Sequence, residues 1–90
     1  MMLPIYLVDD DDSVLDSLAF LLQELDYSVT CFSNGSDFLN HAQLDKAGCV
    51  VLDSRMPLMR GQQVHQQLIE QYSPLGVVYL TGHGDVPMAV

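Results

Sequence analysis

Gly48-Cys49-Val50-Val51-Leu52-Asp53 is the stretch that decides the fold. Four apolar residues, two of them β-branched, stand between a glycine and a carboxylate. A run so short and so uniformly apolar lacks the alternation of a half-exposed strand, and suits a buried strand of a parallel sheet. The pattern recurs on either side. Ile5-Tyr6-Leu7-Val8 stops at Asp9-Asp10, and Gly76-Val77-Val78-Tyr79-Leu80 runs into Thr81-Gly82-His83-Gly84. Val29-Thr30-Cys31-Phe32 reads as a further strand, closed by the turn formers Ser33-Asn34-Gly35.

Helical segments fill the intervals. Val14, Leu18, Leu21, Leu22 and Leu25 recur at helical spacing and predict one packed face, with Asp11 or Asp12 as the N-cap. Ser36 to about Gln43 predicts a short helix with Phe38, Leu39 and Ala42 on one side. Gly61 to Tyr72 predicts another, with Val64, Leu68 and Tyr72 inward, ended by Pro74. A last helix is expected to begin near Asp85. Strands alternating with helices imply parallel βαβ units, hence an α/β, doubly wound parallel sheet. Such folds bind ligands at the carboxyl ends of their strands. Asp9, Asp10, Asp53 and Thr81 all stand at such ends.

Composition narrows the function. The 90 residues are 49% hydrophobic, enough for one packed domain and too apolar for a disordered tail. Twelve acidic residues against three basic ones give a net charge of −9, with Lys46, Arg55 and Arg60 scattered. Nucleic acid and anionic membrane are poor partners for that surface, because binding phosphates requires clustered Lys and Arg. No apolar run is long enough to span a membrane, and the first residues lack the basic start of a secretory signal. Cys31 and Cys49 lack metal or redox spacing and are expected to be reduced, packed thiols of a cytoplasmic protein.

Three carboxylates at neighbouring strand ends repel one another. At about 4 Å and an effective dielectric near 20, each pair costs on the order of 4 kcal/mol before screening. Protonation of one acid or capture of a cation relieves this, and an all-oxygen donor set with open positions favours Mg²⁺. Asp53 is then placed to act as a carboxylate nucleophile toward a phosphoryl group, with the Thr81 hydroxyl donating to one of its oxygens. Taken alone, the run Asp9–Asp12 is a solvated helix cap; its combination with Asp53 and Thr81 is what sharpens it.

Leu7-Val8-Asp9-Asp10, Val51-Leu52-Asp53-Ser54-Arg55-Met56-Pro57 and Leu80-Thr81-Gly82-His83-Gly84-Asp85-Val86-Pro87-Met88-Ala89-Val90, in that order, resemble bacterial two-component response-regulator receiver domains. The last string resembles the FixJ-type subgroup, whose members usually carry a C-terminal DNA-binding domain. The resemblance covers the whole chain. It implies a sheet of order 2-1-3-4, with residues 1–90 forming one partial receiver of four strands, three helices and the start of a fourth. It further implies that Asp53 is the phosphoacceptor, that Asp9, Asp10, Asp53 and the backbone carbonyl of Arg55 hold Mg²⁺, and that Thr81 contacts the phosphoryl group. Gly82 would leave access beside it. The implied donor is the phosphohistidine of a sensor histidine kinase, and the implied outcome is control of an output domain in transcription; the chain itself is no turnover enzyme.

Receivers of this family continue into a fifth strand bearing a lysine and a switching aromatic residue. Residues 1–90 are expected to stop short of it, and Lys46 precedes the third strand, at the other end of the sheet. Two readings therefore stay open: a phosphorylatable receiver, favoured by the acidic triad, and a truncated receiver serving as a non-phosphorylated interaction module. An open fourth-strand edge is expected to promote self-association or exchange of the terminal segment between chains. A flavodoxin-like phosphate binder would need a Gly/Ser/Thr-rich loop where the aspartates stand. A phosphohydrolase with an Asp nucleophile would need a second Asp where Arg55 is. His83 is expected to be a solvated loop residue, His41 and His65 surface residues, and Met56 and Met59 packing or partner-surface residues.

Overall fold

The computed structural model describes residues 3–53 and 61–80. In chain order these form β1 (Pro4–Val8), α1 (Asp12–Glu24), β2 (Ser28–Phe32), α2 (Gly35–His41), β3 (Gly48–Asp53), α3 (Gly61–Glu70) and β4 (Leu75–Leu80). The strands make one parallel sheet of order β2-β1-β3-β4. The expected α/β sheet and its order both hold. No helix among the described residues is long and apolar enough to cross a membrane.

Strand periodicity sends alternate side chains to opposite faces. Tyr6, Val8, Val50 and Leu52 are buried on the face covered by α2 and α3, where Phe38, Val64, Leu68 and Leu75 complete the core. Phe38 is fully buried, and its ring meets those of Tyr6 and Phe32 edge-on, with centroids 5.6 and 5.7 Å away. Burying side chains of this kind contributes roughly 1.5–3 kcal/mol each. The Tyr6 ring lies in this core while its hydroxyl accepts from the Gln43 amide at 3.4 Å. The opposite face carries α1, packed on β1 and β2.

Three expectations need correction. On α1 the buried residue is Leu15, flanked by half-buried Val14, Leu18, Ala19 and Leu22, whereas Leu21 and Leu25 are 58% and 59% exposed. The helix rests on two strands, so its contact is narrower than its apolar stripe. Tyr72 does not face inward: α3 ends at Glu70, and Tyr72 takes φ 54° and is 94% exposed. Its amide donates to the Ile69 carbonyl while that of Ser73 donates to Leu68, the paired bonds of a Schellman ending. The left-handed residue at such an ending leaves the helical phase, so periodicity no longer places its side chain. Asp26, with φ 68°, ends α1 in the same manner. Finally, Cys31 is exposed rather than packed, because β2 is flanked by one strand only; Cys49 is half-buried, and both are free thiols.

Candidate functional site

The sheet brings the acids together through its register. Val8 pairs with Leu52, so Asp9, which follows β1, and Asp53, which ends β3, emerge side by side. Leu80, the last residue of β4, pairs with Asp53. One carboxylate oxygen from each of Asp9, Asp10 and Asp53 lies within 4.8 Å of the others. Asp9 is only 8% exposed, Asp53 is half-buried and Asp10 faces solvent. The cluster thus runs from interior to rim.

Local backbone holds Asp9 in place. Its amide donates to the Phe32 carbonyl at 3.1 Å, and its Oδ1 accepts from the Asp11 amide at 2.9 Å. Asp11 in turn caps α1, its Oδ1 accepting from the amides of Ser13 at 2.9 Å and Val14 at 3.4 Å. Of the two N-cap candidates, Asp11 is therefore the cap, with Asp12 in the first turn beside the positive end of the helix dipole. The acidic run divides its labour: Asp9 and Asp10 join Asp53, and Asp11 and Asp12 start the helix.

Burial pushes the Asp9 carboxyl up from 3.8 to about 6. The Asp11 amide pulls it back, while the charge of Asp53, a hydrogen bond with that carboxyl and the charge of Asp10 push it further up. A carboxyl desolvated among like charges is relieved by a proton or a cation. The donor set is all oxygen, one member is exposed, and hard divalent cations that retain water fit such a set. The residues present therefore fit Mg²⁺.

The profile of the response-regulator receiver domain matches residues 5–90. The chain belongs to the response-regulator receiver family. This receiver chain is 55% identical over 89 residues to the tetrathionate response regulatory protein TtrR of Salmonella typhimurium, covering 99% of the chain and 43% of TtrR. It is 43% identical over 86 residues to the transcriptional regulatory protein FixJ of Bradyrhizobium diazoefficiens, covering 96% of the chain and 42% of FixJ. Among solved structures, the response regulator StyR superposes with a TM-score of 0.86 at 39% identity, over 100% of this chain and 46% of that one. FixJ-N superposes with a TM-score of 0.85 at 33% identity, over 97% of this chain and 70% of that one. The receiver spans less than half the length of the curated relatives named here. Receiver domains in general bind Mg²⁺ at an acidic pocket and take phosphoryl groups from sensor histidine kinases.

Of the expected site residues, the structure brings Asp9, Asp10 and Asp53 together. Thr81, Gly82 and Arg55 lie outside the described residues, as do His83, Met56 and Met59. His41 is exposed, as expected. His65 is not a plain surface residue: it is half-buried, and its Nδ1 lies 2.7 Å from the Tyr79 hydroxyl. Nothing in the sequence signals that pair, since its members are 14 residues apart on a helix and a strand.

Proposed function

We propose that Asp53 accepts a phosphoryl group from the phosphohistidine of a sensor histidine kinase, with Mg²⁺ held by Asp9, Asp10, Asp53 and the backbone carbonyl of Arg55. The observation that carries this reading is the convergence of three carboxylates within 4.8 Å at the ends of β1 and β3. An Asp53 oxygen attacks phosphorus, the bond from phosphorus to the donor imidazole nitrogen breaks, and the imidazole retains the electron pair and takes up a proton from solvent. The bound metal supplies neutralisation of charge on the transferring oxygens. Asp9 and Asp10 serve as ligands rather than proton carriers, and the Asp11 amide holds Asp9 oriented for that task. The Thr81 hydroxyl donates to a phosphoryl oxygen, and Gly82 leaves the acyl phosphate accessible.

The resulting aspartyl phosphate is the signal, read by an output domain acting in transcription, and the receiver is a phosphoacceptor in the cytoplasm rather than a turnover enzyme. Incubation with acetyl phosphate and Mg²⁺, followed by intact-mass measurement, tests this. One phosphoryl increment is expected in wild type and none in Asp53→Asn or in excess EDTA. An increment surviving Asp53→Asn refutes the acceptor assignment. Self-association through β4 is a separate proposal, tested by light scattering at micromolar concentration, where a monomer refutes it.

A further inference from the structure

We propose that the His65–Tyr79 contact is a positioning device for the Asp53 site, setting the carboxyl end of β4 against α3. The inference rests on the phosphoacceptor reading of Asp53. His65 Nδ1 and Tyr79 Oη are 2.7 Å apart, and the two rings lie with centroids 5.7 Å apart at 59°. Both side chains are half-buried.

The contact closes a circuit around the acceptor. Asp53 leads along the chain, through residues 54–60, into α3; His65 is the fifth residue of α3; Tyr79 is the penultimate residue of β4; and Leu80, next to it, pairs back with Asp53. Removing this hydrogen bond leaves α3 and β4 joined by apolar packing. The apolar anchors of α3, Val64 and Leu68, are buried independently of it. Those anchors hold the helix on the sheet, and apolar contact tolerates sliding and rotation because it is non-directional. A hydrogen bond is directional and fixes the strand end relative to the helix. Burial also pushes the Tyr79 phenol up, so its proton is retained and the oxygen remains a neutral hydrogen-bonding group. Two half-buried polar groups that meet each other are otherwise an expensive way to join a helix to a strand. A Leu–Phe pair would join them without dehydrating any polar group. The geometry is therefore better explained by alignment than by adhesion.

The test uses the whole chain and the variants Tyr79→Phe, His65→Phe and the double variant, with His65→Gln as a conservative change that keeps a hydrogen-bonding atom. Tyr79→Phe is expected to melt within about 5 °C of wild type, since it retains the ring. Its maximal rate of Asp53 phosphorylation by acetyl phosphate is expected to fall about three- to tenfold with the donor KM unchanged, the mark of misalignment rather than lost binding. The double variant is expected to be no slower than either single variant, and His65→Gln to recover part of the rate. Unchanged rates in both single variants, or losses that multiply in the double variant, overturn the proposal. A second readout needs no phosphoryl transfer: the shift of the Leu80 amide resonance on Mg²⁺ titration, expected to shrink at least about twofold in Tyr79→Phe. If wild type takes up no phosphoryl group, the acceptor reading fails, and this titration alone decides the positioning role; an identical Leu80 response in wild type and Tyr79→Phe then refutes it.

Discussion

Replacing Asp53 by asparagine removes one of three carboxylates whose oxygens lie within 4.8 Å of one another. At that distance two unit charges repel by about 3.5 kcal/mol at an effective dielectric near 20. Solvent at half-buried Asp53 and exposed Asp10 reduces this to about 1–2 kcal/mol. The Asp9 carboxyl gives a second measure. Its displacement from 3.8 to about 6 corresponds to about 3 kcal/mol at roughly 1.4 kcal/mol per pH unit. Burial takes the largest share, and the charge of Asp53 acts in the same direction. Asp53→Asn is therefore expected to stabilise the metal-free chain by about 1–2 kcal/mol at pH 7.5, or about 5–10 °C in melting temperature. The pH dependence follows from the direction of the shift. Between 3.8 and about 6 folded Asp9 holds a proton that the unfolded chain has released, so stability falls as pH rises through that window and stays low above it. The advantage of Asp53→Asn should accordingly be small at pH 3.5 and full at pH 7.5. Mg²⁺ should reverse the order, because a ligand at 100 times its Kd adds about 2.7 kcal/mol to the chain that binds it. Urea denaturation in EDTA and in Mg²⁺, at both pH values, measures all four quantities. A variant no more stable than wild type at pH 7.5 in EDTA, or a gap of equal size at both pH values, refutes the account of Asp9 as a carboxyl strained by its neighbours.

Phe38→Ala removes a fully buried ring packed against Tyr6 and Phe32, and should cost about 3–5 kcal/mol in urea denaturation; a loss under 1 kcal/mol would mean that the aromatic cluster is not the centre of the core. Gly48→Ala would set a Cβ 2.8 Å from the Pro4 carbonyl oxygen, so β1 and β3 must separate locally and stability should fall by about 1–3 kcal/mol, read from thermal melting. Tyr72→Gly relieves a left-handed backbone while giving up a ring that is 94% exposed. It should raise stability by about 0.5–1 kcal/mol, and a loss of similar size would show that the exposed ring makes contacts of its own.

What could be read from the residues divides along one physical line. A parallel sheet collects the carboxyl ends of all its strands at one edge, so reading where apolar runs stop was enough to bring Asp9, Asp10 and Asp53 to one place. No contact between layers had to be known. The strands were legible for the same reason: Val50 and Leu52 are buried whatever packs on them. The inward reach of α1 was not legible, because periodicity gives the phase of a helix but not the number of strands beneath it, and Leu21 and Leu25 fall outside the contact that α1 makes with β1 and β2. The ending of α3 was hidden because a tyrosine occupies a backbone position that glycine usually marks. The consecutive acids carried a subtler ambiguity: composition treats Asp9 and Asp10 alike, yet one is buried beneath the Asp11 amide and the other faces solvent. That difference is set by where the strand ends and the helix cap begins, and it makes Asp9 the carboxyl whose protonation competes with a cation. The His65–Tyr79 bond belongs to the hidden class too, since it joins a helix to a strand across layers. Edge properties assemble the acidic donors of this site, whereas cross-layer contacts set how rigidly those donors are held. It follows that substitution of the acceptor Asp53 at its strand end should abolish phosphoryl uptake, while substitutions at cross-layer polar pairs should grade its rate.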